Sequence, residues 1–291
     1  MQLGRLGVWT FLDALDARQA AAFARRVEEL GYAALWIPEA LGREAFATSA
    51  WLLAATERLV VATGIANIYA RDPVTMACGQ KTLAEQSGGR FLLGVGVSHK
   101  PLVEGVRGHD ASRPLETMRR YLEKMQAAPY MAVPPPEAPP TVIGALHPGM
   151  LRLAAEKTRG AHPYLVPPEH TKFAREILGP DAWLCVEQKV LLESDPTRAR
   201  DTARKAISMY LGLPNYRRNL ARFGFTEEDM ANGGSDRLVD AVVAWGDESK
   251  LRDRIEAHFR AGATHVCIQP VHPEGKPLPD EKVLEVLAPG R

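Results

Sequence analysis

The stretch GGRFLLGVGVSHK, residues 88–100, contains the parts of one β/α unit in order. Gly88 and Gly89 end a helical pattern, because glycine is the preferred residue just past a helix C-terminus. Phe91 to Val95 is a short, uninterrupted apolar run, which is typical of a strand buried on both faces. Residues 96–99 form the loop that follows the strand. The stretch therefore predicts an α/β fold built around a parallel sheet.

The same alternation of apolar runs and helical patterns extends over the whole chain. Further strands are predicted at residues 6–9, 33–37, 59–64, 141–144, 160–164, 183–192 and 263–270. Helices are predicted at residues 16–30, 44–55, 73–86, 112–127, 148–157, 168–178, from 196 onward, and at 247–261. Eight strand–helix units favour an α/β fold of the (β/α)8 TIM-barrel type. A count of strands does not show closure, so an open doubly wound sheet stays an alternative.

The domain organisation follows from this pattern. We expect a single domain over residues 1–291, with an insertion of extra helices at about 212–244 between strands 7 and 8. In a barrel such an insertion lies near the rim of the active site and can form a lid or a substrate wall. The other part of the wall is expected from the Trp9–Phe11 loop.

The composition excludes several classes of protein. The formal net charge of +1 gives no basic surface for nucleic acid or membrane, and no apolar run approaches the length of a membrane span. No secretory signal is visible at the N-terminus, so a cytoplasmic location is expected. Cys78, Cys185 and Cys267 lack metal-site spacing and are expected to be buried thiols, and no metal site is predicted. His170, His258 and His265 are expected on helix surfaces or beside strands.

Candidate site residues lie where predicted strands end, because barrel enzymes bind their ligands at the carboxyl ends of the strands. Glu39 in ALWIPEA (34–40) follows strand 2, although a solvated loop acid is the alternative. Gly64 ends strand 3 and could let the backbone approach a ligand, although a plain strand-to-helix turn is the alternative. His99 lies in the loop after strand 4 and is either a donor to the ligand or a simple loop histidine. Gly144 and Ala145 precede a helix whose free N–H groups suit a phosphate; a structural turn is the alternative.

Several of these segments together resemble the luciferase-like monooxygenase superfamily, in particular its coenzyme F420-dependent branch. The most specific pieces are GIANIYARDP (64–73) and GGRFLLGVGVS (88–98), and the resemblance covers nearly the whole chain in order. Other matching segments are 29–40, 142–171, 186–200 and 246–270.

The resemblance implies a cofactor lying across the strand ends and a cis peptide bond between Gly64 and Ile65. Ile65 would then contact the face of the cofactor ring, and Glu39 would lie near its reactive centre. The complete set of cofactor-binding residues expected from the resemblance and from the strand ends is Glu39, Gly64, Ile65, Ala66, Asn67, Val97, Ser98, His99, Gly144, Ala145 and His162.

The sequence departs from one part of this pattern. Sugar-phosphate dehydrogenases of the branch carry histidine directly after the acid, where this chain has Ala40. Sugar-phosphate chemistry is therefore not carried over, and proton transfer would fall to Glu39 or His99, the expected catalytic residues.

The expected function is hydride transfer between coenzyme F420 and a small organic substrate. One alternative is an FMN-dependent monooxygenase that uses oxygen, and another is a non-catalytic barrel that serves as a binding module. A small-molecule substrate and a homodimer are the partners that we expect.

Overall fold

The computed structural model describes residues 1–290. The strands are β1 (Leu6–Trp9), β2 (Ala34–Ile37), β3 (Val60–Thr63), β4 (Ala66–Asn67), β5 (Phe91–Gly96), β6 (Thr141–Ile143), β7 (Gly160–Ala161), β8 (Trp183–Leu192), β9 (Val243–Gly246) and β10 (His265–Pro270). The α-helices are α1 (Ala17–Glu29), α2 (Ala45–Ala55), α3 (Pro73–Gln86), α4 (Pro114–Gln126), α5 (Pro148–Lys157), α6 (Pro168–Leu178), α7 (Pro196–Leu211), α8 (Pro214–Arg222), α9 (Asp236–Val242), α10 (Glu248–Arg260) and α11 (Glu281–Val286). A short π-helical segment, Pro101–Val106, follows β5.

Eight of the strands close into a parallel barrel. The order around the ring is β1, β2, β3, β5, β6, β7, β8 and β10, and β10 pairs with both β8 and β1. The predicted (β/α)8 TIM barrel is confirmed, and the open doubly wound sheet is excluded. Closure brings the carboxyl ends of all eight strands to one rim.

A one-residue bulge interrupts the third strand at this rim. Ala62 pairs with Leu92 and Ala66 pairs with Val95. Between these two pairs the third strand advances by four residues, whereas β5 advances by three. Such a bulge redirects the local backbone and is common beside active sites. The extra residue falls in the Thr63–Ile65 segment, where the Gly64–Ile65 peptide bond is cis, as the resemblance implies.

The segment predicted as an insertion of helices contains more than helices. Residues 212–244 hold α8 and α9, but the segment also includes the start of β9, which pairs with the carboxyl-terminal half of β8. Val243 to Gly246 escaped the sequence reasoning because the strand begins directly after Val242, the last residue of α9, with no turn residue to separate the two.

Two layers of side chains make up the core. Alternate strand residues such as Trp36, Ala62 and Leu92 form one cluster, whereas their neighbours Leu35, Val61 and Leu93 pack with the helices. This alternation follows from the twofold period of a strand. Of the three cysteines, Cys185 and Cys267 are buried as expected, but Cys78 is partly exposed.

His170 and His258 lie in helices but not on their surfaces, so that prediction is wrong for them, whereas His265 begins β10, in keeping with the expected position beside a strand. All three side chains are completely buried. Each imidazole has a hydrogen-bond partner inside the protein: the Leu146 carbonyl for His170, Thr171 and Gln188 for His258, and Trp36 and the Gly4 carbonyl for His265. Burial of a polar side chain is tolerated when such bonds are made.

Within residues 1–290, no helix is both long and apolar enough to cross a membrane.

Candidate active site

A cavity of about 380 Å³ opens at the carboxyl ends of the strands. Its wall is mostly apolar and aromatic, and its size falls in the range of small-molecule and cofactor sites. Nine of the eleven predicted cofactor-binding residues line it: Glu39, Gly64, Ile65, Val97, Ser98, His99, Gly144, Ala145 and His162. Ala66 and Asn67 are completely buried and do not reach the cavity.

Ile65 forms part of the cavity wall because two glycines leave room for its side chain. A Cβ built on Gly96 would lie 2.6 Å from Cγ1 of Ile65, and a Cβ on Gly144 would lie 3.4 Å from its Cγ2. The Ile65 side chain therefore rests against the ends of β5 and β6 while staying partly exposed to the cavity. Gly144 therefore has two roles: it leaves room for the Ile65 side chain, and it lies in the turn that precedes α5.

Glu39 is held by a bidentate ion pair. Arg71 donates from Nη1 to Oε2 at 2.8 Å and from Nη2 to Oε1 at 2.6 Å, and the Asn67 backbone N–H donates to Oε2 at 2.8 Å. Burial alone would raise the pKa of Glu39, but these hydrogen bonds and the charge of Arg71 hold it below its usual value. The alternative of a solvated loop acid is wrong. An ionised, fully bonded carboxylate is also a poor proton donor at neutral pH.

Asn67 is buried behind the cavity wall and influences the site through its hydrogen bonds. Its N–H bonds Glu39, and its side-chain oxygen accepts from the Tyr69 N–H at 2.9 Å. The residue therefore orients the loop that carries Arg71 and has no place on the cavity surface.

Three histidines line the cavity, and the two that were predicted, His99 and His162, reach it in different ways. His99 lies in the loop after β5 with its ring 5.4 Å from that of Tyr216, and burial lowers its pKa. His162 stacks on Trp36 at 4.6 Å, and its Nδ1 lies 2.8 Å from the Cys185 carbonyl oxygen. The other ring nitrogen of His162, Nε2, is buried and has no hydrogen-bond partner in the described chain.

Aromatic side chains form one continuous side of the cavity. Trp9 contacts Phe11 and Tyr164, and Tyr210 contacts both Tyr164 and Tyr216, with ring centroids 5.0 to 5.3 Å apart. The Trp9–Phe11 loop lies where it was predicted. The other wall was predicted from the whole 212–244 segment. In the structure only the start of α8 contributes from that segment, and the end of α7 forms the rest of this wall. Tyr164 was missed as a wall residue, because the predicted strand 160–164 included it, whereas β7 ends at Ala161.

The N-terminus of α5 faces another part of the cavity. His147, Gly149 and Met150 line it, and the helix N-terminus has no side-chain cap. The first N–H groups of a helix have no partners within the helix and carry a partial positive charge. Exposed Arg218 of α8 lies on the same wall. This arrangement suits an anionic group such as a phosphate.

A buried charged cluster lies behind the aromatic side. Nζ of Lys189 is 3.2 Å from Oε1 of Glu187 and 3.1 Å from Oε1 of Gln269, and it lies 3.9 Å from the centre of the Tyr164 ring. Burial lowers the pKa of Lys189, although the charge of Glu187 acts in the opposite direction. The sequence reasoning missed this pair. Its signal was present in VEQKVLL (186–192), where two charged residues two positions apart share one face of a buried strand.

Among residues 1–290, no group of three or more histidine, cysteine or carboxylate side chains is arranged to hold a metal ion.

Comparison with known proteins places this geometry in a family. The sequence model of the luciferase-like monooxygenases matches residues 3–265. A protein of Mycobacterium tuberculosis named as a coenzyme F420-dependent oxidoreductase is 25% identical over 92% of this chain and 94% of its own length.

Two solved structures share the fold over nearly their entire length. The coenzyme F420-dependent tetrahydromethanopterin reductase from Methanopyrus kandleri superimposes with a TM-score of 0.79 at 19% identity, covering 99% of this chain and 98% of its own. The oxygenating constituent of 3,6-diketocamphane monooxygenase from Pseudomonas putida, in complex with FMN, has a TM-score of 0.73 at 17% identity, with coverages of 98% and 97%. With a family match over most of its length and the fold of these enzymes, the chain belongs to the luciferase-like monooxygenase family.

Proposed function

We propose that the protein is a coenzyme F420-dependent oxidoreductase that transfers hydride to or from a small organic substrate. One observation carries the proposal: an apolar cavity at the strand ends has Ile65 on one wall and an uncapped helix N-terminus on another. The apolar wall suits a planar, largely apolar ring, and the helix N-terminus suits the phosphate of a tail joined to that ring.

The residues of the cavity fit such a cofactor. The ring would lie against Ile65, whose side chain is supported by Gly96 and Gly144. The tail phosphate would accept hydrogen bonds from the first turn of α5, with Arg218 nearby. Val97, Ser98 and His99 would contact the cofactor from the loop after β5.

The side chains of the protein contribute position and charge, and the bound deazaflavin supplies the hydride chemistry. Glu39 stays ionised because Arg71 holds it, so its proposed role is to set the electrostatic field beside the ring and to fix the backbone that follows Ile65. Burial favours the neutral form of His99, which leaves it able to exchange a proton with substrate. The aromatic side excludes water from the apolar end.

Coenzyme F420 is preferred to FMN because the Mycobacterium tuberculosis relative, aligned over 92% of this chain, is named as an F420-dependent enzyme. An FMN-dependent monooxygenase is the second candidate. The FMN complex from Pseudomonas putida, which shares the fold, favours it. A non-catalytic barrel that has lost its cofactor and serves as a binding module is disfavoured, since its cofactor pocket would be filled by side chains of the protein, whereas a cavity of about 380 Å³ stays open here.

Titration of the purified protein with coenzyme F420 and with FMN tests the proposal. We expect saturable quenching of F420 fluorescence and weaker binding of FMN. Tighter binding of FMN, with oxygen uptake that depends on substrate, would establish the second candidate instead. Binding of neither cofactor would refute both.

A further inference from the structure

The hydrogen of the His162 imidazole points away from the cavity. Its Nδ1 lies 2.8 Å from the carbonyl oxygen of Cys185, and a carbonyl oxygen can only accept. The hydrogen of the neutral ring is therefore on Nδ1, and Nε2 keeps a free lone pair. That atom is buried without a partner, and a Cβ built on Gly64 would lie 3.0 Å from it. Both His162 and Gly64 line the cavity.

A second chain of bonds fixes the protons of two tyrosines. Nζ of Lys189 donates to Oε1 of Gln269 at 3.1 Å, so this amide oxygen acts as an acceptor. Tyr164 must then donate to the same oxygen, at 2.8 Å. Because the Tyr164 hydrogen is used in this way, the Tyr210 hydroxyl donates to the Tyr164 oxygen, also at 2.8 Å. Tyr210 is left with free acceptor capacity.

We propose that the inner end of the cavity, defined by His162, Tyr164 and Tyr210, offers hydrogen-bond acceptors and binds a neutral donor group, an N–H or O–H, of the ligand. The adjacent Trp9 indole N–H adds no donor, since it bonds the Gly64 carbonyl oxygen at 2.9 Å. This inference rests on the proposed function, which makes the cavity the cofactor and substrate site. The donor is either an N–H of the cofactor ring or a hydroxyl of the substrate.

The charge states agree with this geometry. Burial lowers the pKa of His162 to about 4, so the imidazole is neutral at pH 7. Burial also raises the pKa of Tyr210 to about 12, and Tyr164 likewise keeps its proton. A ligand carbonyl directed at His162 would face a lone pair, which is unfavourable.

The first experiment reads the His162 proton directly. Nitrogen-15 NMR of histidine-labelled, ligand-free protein at pH 7 should show a neutral imidazole with hydrogen on Nδ1 and none on Nε2. A hydrogen on Nε2, or a charged ring, would overturn the inference whatever cofactor the protein binds.

The second experiment identifies the source of the donor. His162→Phe keeps a ring that can stack on Trp36 but removes the acceptor, and Tyr210→Phe removes only a hydroxyl. Binding of F420 and FMN is measured by titration, and binding of cyclohexanol by NMR. We expect His162→Phe to lose tenfold or more in affinity for one class of probe, and Tyr210→Phe to lose a few-fold. Loss for the two cofactors assigns the donor to the ring N–H, and loss for cyclohexanol assigns it to a hydroxyl.

A matched control is His258→Phe, which replaces an equally buried imidazole outside the cavity and should leave all three affinities unchanged. Unchanged affinities in both His162→Phe and Tyr210→Phe, with native thermal unfolding, would overturn the inference. If the wild-type protein binds neither F420 nor FMN, the proposed function fails, whereas the NMR and cyclohexanol measurements still decide the present inference.

Discussion

At the scale of single residues, the site depends on small side chains as much as on polar ones. Gly96 and Gly144 have no side chains, and the space that this leaves is occupied by Ile65. The sequence identified Gly144 as part of the site, but assigned it only to the turn before a helix. Which side chain fills the space next to a glycine depends on the neighbouring strand, and the chain order does not reveal it.

Gly96→Ala tests this support of Ile65. The new methyl group would lie 2.6 to 2.7 Å from Cγ1 and Cδ1 of Ile65, so the isoleucine must move, and the cavity is the free direction. We expect a loss of about 1–3 kcal/mol in the free energy of unfolding, as for other overpacked sites. Affinity for F420 should fall by roughly tenfold, which corresponds to about 1.4 kcal/mol.

Gly105→Ala is the matched control for this substitution. Its Cβ would meet nothing within 4 Å, so stability should change by less than about 0.5 kcal/mol. Denaturant unfolding and fluorescence titration measure the two quantities. If Gly96→Ala behaves like Gly105→Ala, the position of Ile65 does not depend on the space left at Gly96.

At the scale of elements, helix α5 and the strand β8 carry the two polar features of the site. Sequence reasoning anticipated the first of these, because small residues followed by Pro148 indicate a helix start after a strand. It missed the second, because charged residues in a strand of a barrel interior contradict the usual pattern. The Glu187–Lys189 pair is tolerated only because both groups are bonded, and those bonds reach across to Gln269 of β10 and to the Leu165 backbone.

Arg218→Ala tests the phosphate end formed by α5 and α8. Removing an exposed cation near a helix N-terminus should weaken the binding of F420 by about 0.5–1 kcal/mol, a change of a few-fold that shrinks as salt is added. The deazariboflavin chromophore without phosphate is the control ligand, and its affinity should not change. Equal losses for both ligands would mean that Arg218 contacts the ring end.

At the scale of the whole molecule, four completely buried or nearly buried histidines tie stability to pH. Burial lowers the pKa of His162, His170 and His265 to about 4 and that of His258 to about 3. The unfolded chain binds protons on these residues at its ordinary pKa of about 6.5. Protonation therefore favours the unfolded state as the pH falls from 6.5 toward 4.

We expect the free energy of unfolding to decrease as the pH falls below about 7. Each such histidine contributes up to about 1.4 kcal/mol per pH unit in this range. Urea unfolding between pH 7.5 and 5 measures the effect above the range in which most carboxylates titrate. Equal stability at pH 7.5 and 5.5 would show that these side chains are accessible to protons in the folded state.

Features that depend on neighbouring residues could be predicted from the sequence, whereas features that depend on closure of the barrel could not. Strand and helix order, the cis bond at Gly64–Ile65 and nine lining residues could be predicted, because each depends on a local run of residues or on a family pattern along the chain. The short strand β9, the partner of Glu39 and the burial of His258 could not.

Local sequence thus determined the period of the elements and the residues at the strand ends, since backbone preference and hydrophobic spacing act over a few positions. Tertiary structure alone decided the pairing of Arg71 with Glu39, of Lys189 with Gln269, and of His162 with the Cys185 carbonyl. Hydrogen bonds between elements far apart in the chain form only after the sheet has closed, and they set the charge and the proton positions on which the chemistry of the site depends.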